Sequence, residues 1–319
     1  MRYSIRVLMV ATTLAVAAVM FAQPAVAGSF KVAMALPGNI TDQSWNQVGY
    51  EGLMDAKKEL GIEVAYSEKV AQADQAETMA DYARRWYNVV ICHGGEFQAA
   101  ADRVARKHPD TLFVVHNGTK PGKNIATLDF YYKQFGYALG YLAGKMSKSG
   151  KTGWIGAHKI KFSTDLVSSY EEGFKKVHPN GVVYIAWTND WDDIAKGKEA
   201  ALNQISQGAD VVFPTMDNAA IGSLQAAKEK NVWGFGLYYD AIADWPDTVL
   251  QSAILDIKSA MVDLLALAKE GKATGKNYKF GVASPDSARL GTYHSAIPPD
   301  TKAEVESLVS DMKSGKLKP

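Results

Sequence analysis

Short apolar runs alternate with longer amphipathic stretches along almost the whole chain. The runs at 30–36, 62–66, 88–92, 111–116 and 124–129 are rich in aliphatic residues and predict strands. Between them, 45–60, 72–85 and 96–107 carry apolar residues at helical spacing, and Gly61 suits the C-cap of the first. Regular alternation of this kind predicts a parallel sheet covered by helices on both faces.

The pattern then starts again. A long helix is predicted at 133–147, with Gly136, Gly140 and Gly144 spaced for close approach of another helix. Strands at 152–157, 182–187, 211–214 and 232–237 alternate with helices at 165–176, 194–207 and 219–230. This second α/β unit repeats the pattern and not the sequence. A strand at 249–255, a helix at 258–269, a strand at 278–282 and a helix at 301–314 are too few for a third domain. The expected organisation is an N-terminal lobe at 28–130, completed by about 250–290, and a C-terminal lobe at 131–249, completed by about 291–319. Such a chain crosses between lobes more than once, which makes a hinge. In open α/β sheets, ligands sit at the carboxyl ends of the strands.

Residues 1–27 break the alternation. Arg2 and Arg6 precede an uncharged apolar run from Val7 to Ala22, and Ala25-Val26-Ala27 offers a small-x-small cleavage site before Gly28. The run is shorter than the ~20 residues of a membrane span. A cleaved export signal is expected, the alternative being an uncleaved N-terminal anchor.

The leader changes the meaning of the charge. The 319-residue chain carries 35 basic and 34 acidic residues, and loss of two arginines leaves the mature part near −1. Without a basic excess, nucleic acid is not an expected partner. The single cysteine, Cys92, follows Val89-Val90-Ile91 and is expected to be buried. No cysteine lies near the cleavage site to carry a lipid anchor. A soluble, monomeric protein exported to the periplasm is expected.

Catalytic signatures are missing from the sequence. There is no G-x-S-x-G elbow, no Walker A loop, no H-E-x-x-H and no G-x-G-x-x-G. The six histidines show no metal-ligand spacing. Neither an enzyme, a metal site nor a cofactor is expected.

The strand ends carry another kind of chemistry. Trp45 and Asn46 follow Ser44, a candidate helix cap, after the first strand. Trp45 there can stack on a flat ring, although a core Trp would fit the same pattern. His93-Gly94-Gly95 follows the third strand, where two glycines let a ligand approach the backbone, or simply make a tight turn. Asn117, after the fourth strand, has the donor and acceptor to read a base edge, and also suits a turn. In the second unit, Trp187, Trp191, Asp217, Tyr238 and Asp240 lie at strand ends. One of the two tryptophans is expected in the core. Aromatics and amides without a Lys/Arg cluster fit a flat, polar-edged, unphosphorylated ligand.

Five segments, in order, carry a family resemblance: Asp42-Gln43-Ser44-Trp45-Asn46, the glycine-spaced stretch Gly136 to Gly144, Gly150-Lys151-Thr152-Gly153-Trp154-Ile155-Gly156, Ala195-Lys196-Gly197-Lys198-Glu199, and Gln207-Gly208-Ala209-Asp210-Val211-Val212-Phe213. With these the chain resembles the basic membrane protein family of ABC-transporter substrate-binding proteins, which includes purine nucleoside receptors. The resemblance runs from about Phe30 to Lys318. It implies a type I periplasmic-binding-protein fold, with two Rossmann-like lobes joined by a three-stranded hinge. It also implies ligand capture by lobe closure and delivery to an ABC permease in the inner membrane.

By that resemblance Trp45 stands for the family's stacking Phe, Asn46 for its neighbouring Asn, and Trp191 for a second Phe. Three positions depart from the pattern. Asn117 and Tyr238 stand where ligand-reading Asp residues are expected, and Leu255 where a Lys is expected. Loss of groups that hold ribose hydroxyls implies a free purine base such as adenine. Ligand contacts are expected from Trp45, Asn46, His93, Gly94, Gly95, Asn117, Trp191, Asp217, Tyr238 and Asp240. A purine nucleoside, a sugar-like solute, or a sensory protein feeding a membrane receptor are the alternatives.

Overall fold

The computed structural model describes residues 29–41 and 45–319. The expected leader and the capping Ser44 lie outside the described residues. No described helix is long and apolar enough to cross a membrane.

The first sheet is built from β1 (Lys31–Ala35), β2 (Glu63–Ser67), β3 (Val89–Cys92), β4 (Leu112–His116), β5 (Ile125–Phe130) and, from far along the chain, β11 (Asn277–Phe280). Its order is β11-β5-β4-β3-β1-β2, with every pairing parallel. Side chains on a strand alternate between faces. Val32, Met34 and Leu36 therefore join a core with Leu53 and Ala56 of α1 (Trp45–Leu60) and Met261, Leu264 and Leu265 of α8 (Ile257–Lys269). Ala33 and Ala35 point the other way, into a core with Met79 and Tyr82 of α2 (Gln75–Arg84) and Val104 of α3 (Gln98–Ala105). Cys92 belongs to this second core. It is fully buried against Met79, and burial pushes its thiol pKa far up, so it is structural and unreactive.

The second sheet runs β12-β10-β9-β8-β6-β7. It is formed by β6 (Lys151–Gly156), β7 (Val182–Trp187), β8 (Val211–Thr215), β9 (Trp233–Leu237), β10 (Val249–Leu255) and β12 (Ala288–Leu290), and only β12 is antiparallel. Helices α4 (Tyr132–Met146), α5 (Lys161–Val177) and α9 (Pro299–Lys313) pack together in this lobe, as do α6 (Ile194–Ser206) and α7 (Ala219–Lys230).

The chain passes between the sheets three times, after β5, after β10 and after β11. These crossings correct the expected lobe boundaries. Residues 250–255, expected in the first lobe, belong to β10, which pairs with β9 in the second sheet. Residues 288–290 also lie there, paired with β10. Of the 250–290 stretch, α8 and β11 join the first lobe. Every residue of β10 is buried, so its sequence suits the interior of either sheet equally.

Candidate functional site

The carboxyl ends of the two sheets face one another across a cavity of about 720 Å³. From the first lobe, Trp45 and Asn46 reach it at the start of α1. Asn46 is buried, and its Oδ1 accepts from the Gly38 backbone N–H at 2.9 Å, which ties α1 to the loop after β1. The turn after β3 brings Gly94, Gly95 and Glu96. A Cβ on Gly95 would stand 2.9 Å from the Asn117 carbonyl oxygen, so only glycine lets these two turns meet.

Two wall residues hold left-handed backbone conformations. Asn117 has φ +55° and Tyr238 φ +74°. Asparagine tolerates this region, but for tyrosine it stores strain, and such strain concentrates at ligand sites. The Tyr132 hydroxyl donates to Asn117 Oδ1 at 3.4 Å and also interacts with the Tyr238 hydroxyl. Burial, then the neighbouring Asp217 carboxylate, pushes the Tyr238 hydroxyl pKa far up. Burial does the same to Tyr132, so both hydroxyls keep their protons as donors.

The second lobe supplies an aromatic wall. Trp191 stacks on Phe162 with ring centroids 5.8 Å apart and planes at 22°. The Trp191 carbonyl accepts from the Asp217 and Ala219 N–H groups, which joins the loops after β7 and β8. Trp187 packs instead on the buried Trp154, centroids 4.9 Å apart, and is the structural member of the pair.

Trp45 has its own foundation. Its ring stacks on His93 at 4.4 Å and lies 4.6 Å from His116. The indole N–H donates to the His93 carbonyl at 3.2 Å, and His93 Nε2 lies 2.9 Å from the Trp45 carbonyl. A carbonyl only accepts, so Nε2 carries the His93 proton and Nδ1 accepts from His116 Nδ1–H at 3.3 Å.

His116 Nε2 is then a buried acceptor with no hydrogen-bond partner. Burial first, and His93 second, hold the His116 pKa well below its ordinary 6.5. Below that pH the unfolded chain binds a proton that the folded protein refuses. Stability carried by this group should be complete above pH 6.5 and fall as acid is added below it. Denaturant unfolding at a series of pH values checks this. The His116→Asn variant should show a shallower loss on acidification than the parent.

Eight of the ten expected contact residues line the cavity: Trp45, Asn46, Gly94, Gly95, Asn117, Trp191, Asp217 and Tyr238. His93 is fully buried behind Trp45 and does not line it. Asp240 lines an adjoining cavity and is engaged elsewhere, its Oδ2 accepting from the Thr292 N–H at 2.9 Å and hydroxyl at 2.7 Å.

Several lining residues were not marked by the sequence. Phe162, Lys161 and Asp165 belong to the first turns of α5, which begins four residues before the predicted helix. Lys161 is paired with Asp165 at 2.5 Å. Asp129 is the next-to-last residue of β5 and pairs with Lys279 at 2.9 Å. A carboxylate at a strand end was the signal that could have found it. Glu96 stands beside the two glycines. The cleft walls crowd its carboxyl and raise its pKa, although the side chain still reaches solvent.

Two α/β lobes, three crossings and a cavity at the facing strand ends define a type I solute-binding protein. Residues 29–284 match the family described as ABC transporter substrate-binding protein, PnrA-like, and the chain belongs to that family. Among relatives, the chain is 25% identical over 289 residues to the transcriptional activator protein med of Bacillus subtilis, covering 90% of each chain. It is 26% identical over 292 residues to a purine-binding protein of Brucella abortus, covering 91% of this chain and 82% of that one. A solved structure, a transcriptional activator of the comK gene from Bacillus halodurans, superposes with a TM-score of 0.80 at 22% identity, covering 91% of this chain and 99% of that one. The family binds solutes and does not turn them over. Its members act outside the cytoplasm, with a small-molecule ligand and a membrane permease as partners.

Proposed function

We propose that the protein binds a purine base, adenine in preference to adenosine, and delivers it to an ABC permease in the inner membrane. In this reading Trp45 and Trp191 contact the ring, and Asn46, Asn117 and Asp217 meet its polar edge. Gly94 and Gly95 form the floor, and His93 acts from behind Trp45. Residues 1–27 serve as a cleaved export signal, so the mature monomer works in the periplasm.

The preference for a base rests on two departures from the family pattern: Leu255 and Tyr238 stand where the resemblance expects groups that hold ribose hydroxyls. Leu255 is 1% exposed among aliphatic neighbours, and the Tyr238 hydroxyl is engaged by Tyr132. A buried ribose hydroxyl left without a partner costs about 1–3 kcal/mol. The related purine-binding protein of Brucella abortus supports the ligand class.

A nucleoside is the second reading, favoured by Asp129 and Asp217 on the cavity wall, where carboxylates can accept from sugar hydroxyls. Calorimetric titration of ligand-stripped protein with adenine, guanine, adenosine, guanosine and ribose separates the two. Adenine should bind more tightly than adenosine. Tighter adenosine binding would replace the base reading by the nucleoside one, and ribose alone as the best ligand would remove both.

A further inference from the structure

A second cavity of about 650 Å³ adjoins the first and shares Trp45, Asp217, Asn218 and Tyr238 with it. It lies on the hinge side, against Leu255 and Ile257. Most of its surface is aliphatic, with Val48 from α1, Met216 and Leu237 from the second-lobe strand ends, and Ile221 from α7.

Five charged residues line this chamber, the shared Asp217 among them, and the other four make contacts within the protein. Asp256 accepts from the Lys258 and Ser259 N–H groups at the start of α8. Lys258 pairs with Glu51 at 3.3 Å. Asp240 accepts from Thr292 through Oδ2 while its Oδ1 is buried without a hydrogen-bond partner, and Arg289 donates to the carbonyls of Pro285 and Asp286. Away from Asp217 and Asp240, a sugar placed here would meet aliphatic groups where its hydroxyls need partners.

We propose that this chamber receives an apolar substituent carried by the ring in the first cavity, so that the preferred ligand is an alkyl- or aryl-substituted purine. The inference rests on the ring-binding reading above. The chamber and such a substituent have matched surfaces. A bare purine against Trp45 leaves this chamber and the exposed Ile221 on its wall uncovered, and an apolar group extending past Tyr238 covers that surface. The shared wall residues give the substituent a continuous route between the chambers.

The test is calorimetric titration of the ligand-stripped protein with three probes. These are adenine, adenine benzylated on its exocyclic amine, and adenine benzylated on a nitrogen of its five-membered ring. At least one benzylated probe should bind about tenfold tighter than adenine, the scale of added apolar groups in a hydrophobic pocket. Ile221 is 38% exposed on α7, so Ile221→Asp should fold normally. It should abolish the gain and leave adenine affinity unchanged.

Adenine bound normally with neither benzylated probe improved would overturn this inference alone. A gain that survives in Ile221→Asp would overturn the assignment of the chamber. If no adenine derivative binds, the ring-binding reading falls and this inference falls with it.

Discussion

Trp45→Ala should weaken purine binding by about 1–3 kcal/mol, or roughly five- to a hundredfold, the range of base–aromatic stacking. The indole is held from two directions. Its ring rests on His93 and His116, and its N–H is fixed on the His93 carbonyl. A ligand ring would add a further layer to a stack whose orientation is already set, so little ordering entropy is lost on binding.

The bond from His93 Nε2 goes to the Trp45 backbone carbonyl and survives the substitution. The variant therefore removes the ring while keeping the backbone tie between α1 and the turn after β3. Trp45→Phe should retain most of the affinity, because a smaller ring can still stack. Calorimetry on the three proteins, with unfolding curves recorded alongside, separates the two roles of the ring. If Trp45→Ala loses stability and keeps its affinity, Trp45 belongs to the core.

The alternation of strands and helices was legible because periodicity reports burial, and burial here is regular. Ala219–Lys230 and Val182–Trp187 match their predicted spans residue for residue. Sheet membership was not legible in the same way. Nothing in a uniformly apolar strand says which neighbour will hydrogen-bond to it, and β10 went to the second sheet for that reason. The short antiparallel β12 carries too few residues to show a period.

At the site, residues next to glycines or strand ends were found, since the chain itself marks those places. Phe162 was hidden by the start of α5. Ile160, extended at the cap position, precedes a turn whose first residues are Lys161 and Phe162, with no Ser, Thr, Asn or Asp to announce it. The burial of His93 behind Trp45 was also out of reach. A His between a buried strand and two glycines looks the same whether it faces a ligand or supports the residue that does.

Gly140→Ala should destabilise the protein by about 2–4 kcal/mol, at the upper end of overpacking costs. Intrinsic helix propensity argues the opposite, since alanine in a helix interior is worth about 1 kcal/mol more than glycine. Packing decides the sign. A Cβ at Gly140 would stand 2.0 Å from the Tyr170 carbonyl oxygen and 2.9 Å from the Tyr170 Cα. Those are backbone atoms of α5 that no rotamer change can move aside.

The contact is reciprocal, because a Cβ on Gly173 of α5 would stand 2.2 Å from the Tyr137 carbonyl of α4. Relief requires the two helices to separate, and a seam that includes Leu139, Leu166, Tyr170 and Phe174 would open with them. Gly144→Ala provides the graded comparison. Its nearest neighbour would be the Val177 Cβ at 2.7 Å, a shallower overlap than 2.0 Å against a carbonyl oxygen, so its loss should be smaller.

Denaturant unfolding of both variants measures the difference, and equal stabilities would refute a backbone clash at Gly140. The same seam sets the site, since α4 begins with Tyr132 and α5 with Lys161 and Phe162, all on the cavity wall. Separation of the helices moves Tyr132 relative to Phe162, now 5.1 Å apart by ring centroid, and with them the Trp191 face. Gly140→Ala should therefore lose ligand affinity together with stability, although it lies far along the helix from any ligand contact.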